Sequence, residues 1–197
     1  FLTVREYLGH ENQISGAELY RLDGGKGDGM RVLQVRNGKG LDFSISLDRC
    51  ADISRLSFQG MNMGFFSPCG YVAPQYYQRP GAGFLQSFTA GFLTTCGLTA
   101  AGAACTDQGE EVPLHGTISH TPAEEFRFYK TGNEIIVAAV MREASLFGHQ
   151  LILDRQYRCS LTENSLTICD TVENTGVRTT PLMLLYHFNM GYPLLCE

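Results

Sequence analysis

Apolar and polar residues alternate along much of this chain. In Leu41-Asp42-Phe43-Ser44-Ile45-Ser46-Leu47 every odd position is apolar, and between Gln150 and Arg158 the residues Leu151, Leu153 and Tyr157 share one phase. In an extended backbone successive side chains point to opposite faces, so a period of two predicts strands with one buried face. Turn sequences of hairpin length separate such stretches. Thr131-Gly132-Asn133 divides Glu125–Lys130 from Glu134–Met141, and Thr162-Glu163-Asn164 divides Leu151–Leu161 from Ser165–Val172. Asn174-Thr175-Gly176 then turns the chain toward Pro181–Phe188. From about residue 123 onward the pattern predicts a meander of long strands.

No stretch carries the 3.6-residue period of an amphipathic helix. Ala100–Cys105 is rich in alanine but is interrupted by Gly102 and is too short to hold a helix on propensity. The expected fold is all-β, an antiparallel sandwich of two packed sheets. The section from Gly60 to Gly116 departs from the alternation. Its glycines, prolines and aromatics, among them Tyr77, Phe84 and Phe88, read as one long ordered excursion, and such loops in compact domains usually carry function.

Length and charge narrow the function classes. The 197 residues suffice for one domain with a sizeable core, and we expect residues 1–197 to be a single domain forming the N-terminal, larger part of a longer one. A formal net charge of −5 offers no cationic surplus for a phosphate backbone, so no nucleic acid partner is expected. The uncharged run between Arg79 and Asp107 is broken by five glycines and several threonines, which does not suit a lipid-facing helix, so no membrane partner is expected either. Seven cysteines without a C-x-x-C pair indicate reduced thiols and a cytoplasmic protein. Small molecules are the expected ligands, and a homo-oligomer stays open.

Candidate chemistry gathers at two histidine islands. His187 and Asn189 stand two residues apart in Tyr186-His187-Phe188-Asn189-Met190-Gly191, polar positions in a run otherwise suited to a core. Polar groups turned inward need partners or a ligand. His115 lies in Pro113-Leu114-His115-Gly116, where glycine permits close backbone approach. The imidazole pKa makes a pair of histidines an acid/base candidate. Arg49 offers a fork of donors to sugar hydroxyls or a carboxylate, with an ion pair to Asp48 or Asp52 as its simpler role, and Arg79 is expected to line a pocket with the aromatics of the excursion. The spacing of His115, His120, His149 and His187 is not that of a diagnostic metal site, and no metal is expected. No G-x-S-x-G elbow or P-loop spacing occurs.

These residues resemble a family. Asp48-Arg49 with Asp52-Ile53, Phe92 to Leu98, Leu114-His115-Gly116 with Ile118-Ser119 and Pro122-Ala123, and Leu185 to Leu195 are together similar to an uncharacterised bacterial family of the galactose-mutarotase-like (aldose 1-epimerase-like) superfamily. The resemblance runs in order along nearly the whole chain. It implies a β-supersandwich with a sugar in a cleft on one sheet. It further implies His187 as proton donor to the ring oxygen, His115 as a binding or auxiliary residue, and a glutamate base downstream of His187. Tyr186 stands where the epimerase motif has asparagine. Because the chain given ends at Glu197, the resemblance sets that glutamate beyond it. No cofactor is implied, since a hemiacetal needs only an acid and a base. Anomer interconversion is therefore the expected activity. A carbohydrate-binding or sensing domain without the chemistry is the alternative, and another isomerase or a lyase on the same sandwich a third.

Overall fold

The computed structural model describes residues 4–107 and 109–196. A first antiparallel sheet is built in sequence order from β1 (Gly16–Arg21), β2 (Arg31–Arg36), β3 (Leu41–Ser46), β4 (Asp52–Phe58) and β5 (Met61–Asn62). Short pairs follow: β6 (Phe65–Phe66) with β7 (Ala90–Gly91), then, after β8 (Leu93–Leu98), β9 (Cys105–Asp107) with β10 (Glu110–Val112). A second sheet holds β11 (Ala123–Thr131), β12 (Glu134–Ala144), β13 (Gln150–Ser160) and β14 (Leu166–Asn174), again in sequence order. The last strand, β15 (Met183–Phe188), pairs with β8. Helical turns among the described residues are short 3-10 segments of three or four residues.

The alternation in the sequence is the alternation of burial. In β3, Leu41, Phe43 and Ile45 are buried, and in β13 the odd positions from Leu151 to Cys159 are buried. These rows face one another across one apolar core, which joins Leu33, Val35, Phe43, Ile45 and Ile53 of the first sheet to Val137, Ala139, Leu153 and Tyr157 of the second. The Phe43 and Tyr157 rings meet across the seam at 6.4 Å. The expected turns hold: Thr131 opposes Glu134 around Gly132-Asn133.

Two expectations change. The meander ends at Asn174, because β15 leaves that sheet to pair with β8, so that His187 opposes Thr94 and Tyr186 opposes Thr95. The middle excursion also contains a true strand. Every residue of β8 is buried, so no polar alternation announces it.

A charged network sits in the seam. Arg155 is fully enclosed, donating from Nη1 to Asp52 at 2.6 Å and from Nη2 to Asp170 at 2.7 Å and to Thr95 Oγ1 at 2.8 Å. The Thr95 amide and hydroxyl bind the Asp52 carboxylate at 2.7 and 2.6 Å, and the Tyr186 hydroxyl donates to Asp170 at 2.8 Å. Burial and that bond push the Tyr186 hydroxyl up to about 12. This network ties β8 and β15 to both sheets.

Candidate functional site

Because Tyr186 turns toward Asp170, alternation sends His187 to the opposite face of β15. There its ring meets the edge of Phe88 at 5.9 Å and of His115 at 6.1 Å. His115 arrives from the other side of β8, where Gly97 and Gly116 form a parallel bridge, the Gly97 amide donates to the His115 carbonyl and the Thr117 amide to the Gly97 carbonyl. The strand β8 thus carries one histidine on each flank, and both imidazoles face the same side.

The backbone at His115 is unusual. Its φ is +61°, a left-handed conformation that costs a residue other than glycine roughly 1–3 kcal/mol and clusters at functional sites. Gly116 follows at φ +73°, and a Cβ there would stand 2.3 Å from the Gly97 carbonyl oxygen and 2.5 Å from that of Ala100. From below, the Thr117 hydroxyl donates to Glu143 Oε2 at 2.7 Å, while His149 Nε2 lies 3.2 Å from Glu143 Oε1. Burial pushes the Glu143 carboxyl above its usual range.

Electrostatics favour a neutral His115 ring. Burial first, then the neighbouring His187, lowers the pKa of His115. The Nδ1 atoms of His115 and His187 are both shut off from solvent without a hydrogen-bond partner among the described residues. An orphaned N–H costs more than an orphaned lone pair, so a single proton on either ring sits at Nε2. Each ring then offers an Nε2–H donor at its other edge.

The remaining sequence candidates distribute unevenly. Asn189 is buried just past the end of β15, and its Nδ2 turns back to the His187 carbonyl at 3.1 Å, so the shared strand face expected for the two residues ends at Phe188. Arg79 is exposed and lines a cavity of about 400 Å³ with Thr99, Gly116, Thr117, His149 and Thr179; neither His115 nor His187 lines it. Arg49 is not paired with Asp48, which binds Arg31, or with Asp52. Its guanidinium is buried, and it donates to the carbonyls of Ser119, Val72 and Ser87 at 2.7, 2.7 and 3.0 Å and meets His120 Nε2 at 3.1 Å. Glu197, beyond which the base was expected, lies outside the described residues.

The family described as a domain of unknown function, DUF4432, matches residues 27–197. The chain belongs to that family. Its structure is similar to a candidate aldose 1-epimerase from Klebsiella pneumoniae, with a TM-score of 0.83 and 27% identity over 90% of this chain and 48% of that one. It is also similar to galactose 1-epimerase from Lactobacillus acidophilus, with a TM-score of 0.52 and 15% identity over 81% of this chain and 49% of that one. The second likeness shows the fold alone. The chain spans about half the length of both proteins. Among curated proteins no match was found. The galactose-mutarotase-like architecture that the resemblance implied is the one the chain adopts.

Proposed function

We propose that the protein is an aldose 1-epimerase-like isomerase that interconverts the anomers of a free sugar or sugar derivative. The observation that carries this reading is the His115–His187 pair: two imidazoles at 6.1 Å, set on opposite flanks of β8, with buried Nδ1 atoms that have no partner among the described residues. In the proposed reaction His187, carrying a second proton as the imidazolium, gives its Nε2 proton to the ring oxygen as the bond from that oxygen to C1 breaks, and is left as the neutral ring. A carboxylate takes the proton of the anomeric hydroxyl as the C1 carbonyl forms. Rotation about C1–C2 and reclosure by the reverse transfers yield the other anomer. His115, neutral and donating from Nε2, orients the sugar. Arg79, on the cavity it shares with Gly116 and Thr117, binds a sugar hydroxyl. No cofactor enters these steps. The family resemblance sets the carboxylate downstream of His187.

Saturation-transfer NMR of full-length protein over a panel of aldoses tests this. Exchange between anomers should accelerate for at least one sugar and return to the background rate in His187→Gln, with the fold intact. No acceleration for any sugar rejects the catalytic reading. A non-catalytic carbohydrate-binding role is the second reading, favoured by the lack of a carboxylate bonded to either imidazole among the described residues. It expects sugar-induced shifts of the His115 and His187 rings without exchange.

A further inference from the structure

We propose that Arg49 and His120 form an internal post that positions the His115–His187 pair, a role that rests on reading the pair as an acid/base site. Four acceptors from three distant parts of the chain converge on the Arg49 guanidinium: the carbonyls of Val72, Ser87 and Ser119, and Nε2 of His120. Since Nε2 of His120 accepts from Arg49, its proton sits on Nδ1 and is donated to Ser119 Oγ at 2.9 Å. The Ser87 hydroxyl approaches the same Nε2 at 3.0 Å. Burial, with the Arg49 charge beside it, lowers the pKa of His120 to about 2, which keeps the ring a neutral acceptor.

The post carries the aromatics that touch the pair. Tyr77 stacks on His120 with centroids 3.8 Å apart, and its hydroxyl reaches the Gly116 carbonyl at 3.4 Å, next to His115. Phe84 sets its ring at 5.4 Å from His120 and 5.2 Å from His115. Ser87, bonded to the post through both its carbonyl and its hydroxyl, precedes Phe88, whose ring meets His187 at 5.9 Å. Each imidazole therefore leans on an aromatic anchored by Arg49 and His120. The two histidines stand on different flanks of β8, and among the described residues their Nδ1 atoms have no bond to fix ring rotation, so aromatic packing sets their relative angle. A planar fork can meet these acceptors in one geometry, whereas an ammonium is a point charge.

The test uses full-length protein with isotope-labelled histidine rings and the variants Arg49→Lys, His120→Leu and His120→Gln. In Arg49→Lys and His120→Leu the ring-proton shifts of His115 and His187 should move as Phe84 and Phe88 withdraw. The His115 titration should rise toward that of an ordinary imidazole. Anomer exchange should fall roughly tenfold to a hundredfold in kcat with little change in KM. His120→Gln, which keeps an acceptor for Nη2, should recover part of each effect. Folded Arg49→Lys and His120→Leu proteins with unmoved ring shifts and an unmoved His115 titration overturn the proposal; if Arg49→Lys fails to fold, the two His120 variants decide. The ring readouts need no sugar. A wild-type protein that accelerates no anomer exchange thus rejects the functional reading alone, and an active one with unmoved rings in the variants rejects the post alone.

Discussion

Nη1 of Arg155 lies 2.6 Å from Oδ1 of Asp52, and the arginine side chain has no contact with solvent. A charge taken out of water is tolerated only when paired and hydrogen-bonded, and here Asp52, Asp170, Thr95 and the Cys50 carbonyl together occupy the guanidinium. Removing one member strands the others. Arg155→Met leaves two buried carboxylates without their cation and should cost about 3–5 kcal/mol in urea unfolding. The triple variant with Asp52→Asn and Asp170→Asn should recover much of that loss. A cost below about 1 kcal/mol for Arg155→Met would mean that the network does not hold the sheets together.

The same arginine shows what the sequence concealed. Alternation identified Leu151, Leu153 and Tyr157 as one face of a strand, and Arg155 falls in that phase, yet a charged residue there reads as an interruption of the pattern. Glu143 is the parallel case on β12, in phase with buried Ile135, Val137, Ala139 and Met141. A charge at an apolar phase was the available signal for both residues, and their partners, Asp52 and Thr117, are distant in sequence. The strands that alternate were legible because one face is wet. The strand β8 was not, since it is buried throughout. His115 and His187 were legible through their motifs. The roles of Arg49 and His120 were not, because their partners are backbone carbonyls and rings brought together only by the folded loop.

The Thr117–Glu143 bond should support the turn that carries His115. Glu143 is 6% exposed, and its Oε2 accepts the Thr117 hydroxyl at 2.7 Å. Thr117→Val keeps the shape and removes the donor, leaving a buried carboxylate less satisfied. It should lower stability by about 1–3 kcal/mol and raise the Glu143 pKa further, while Thr117→Ser restores both. Chemical unfolding and a carboxyl-carbon NMR titration read the two effects. Equal stability of the Val and Ser variants would rule the bond out as a support.

Acid should weaken the fold through His120. Its pKa in the folded protein is lowered to about 2 by burial and by Arg49, against about 6.5 for an unfolded histidine. The unfolded state therefore binds a proton that the folded state refuses. The contribution is fully present above pH 6.5 and is lost as pH falls toward 2, at about 1.4 kcal/mol per unit. Between pH 6.5 and 5 this amounts to about 2 kcal/mol. The lowered pKa of His115 acts in the same direction, and the raised pKa of Glu143 in the opposite one. Urea unfolding at pH 7, 6 and 5 should show a decline that His120→Gln flattens. An identical slope in that variant would show that His120 does not stay neutral.

The backbone at His115 and Gly116 makes the sharpest demand on residue type. His115 holds φ +61°, a region that asparagine and glycine adopt far more readily than β-branched residues. Gly116 must also avoid the carbonyls of Gly97 and Ala100, which approach the place of its missing Cβ to 2.3 and 2.5 Å. Gly116→Ala combines strain with a clash against backbone that cannot rotate away, and should unfold the turn. His115→Asn, by contrast, removes the imidazole while fitting the conformation, so stability should stay within about 1 kcal/mol of wild type as the His187 ring signals shift. His115→Val should fall well below His115→Asn in thermal unfolding. If the valine variant is as stable as the asparagine variant, the turn does not hold a left-handed residue, and the approach of the two imidazoles across β8 has another cause.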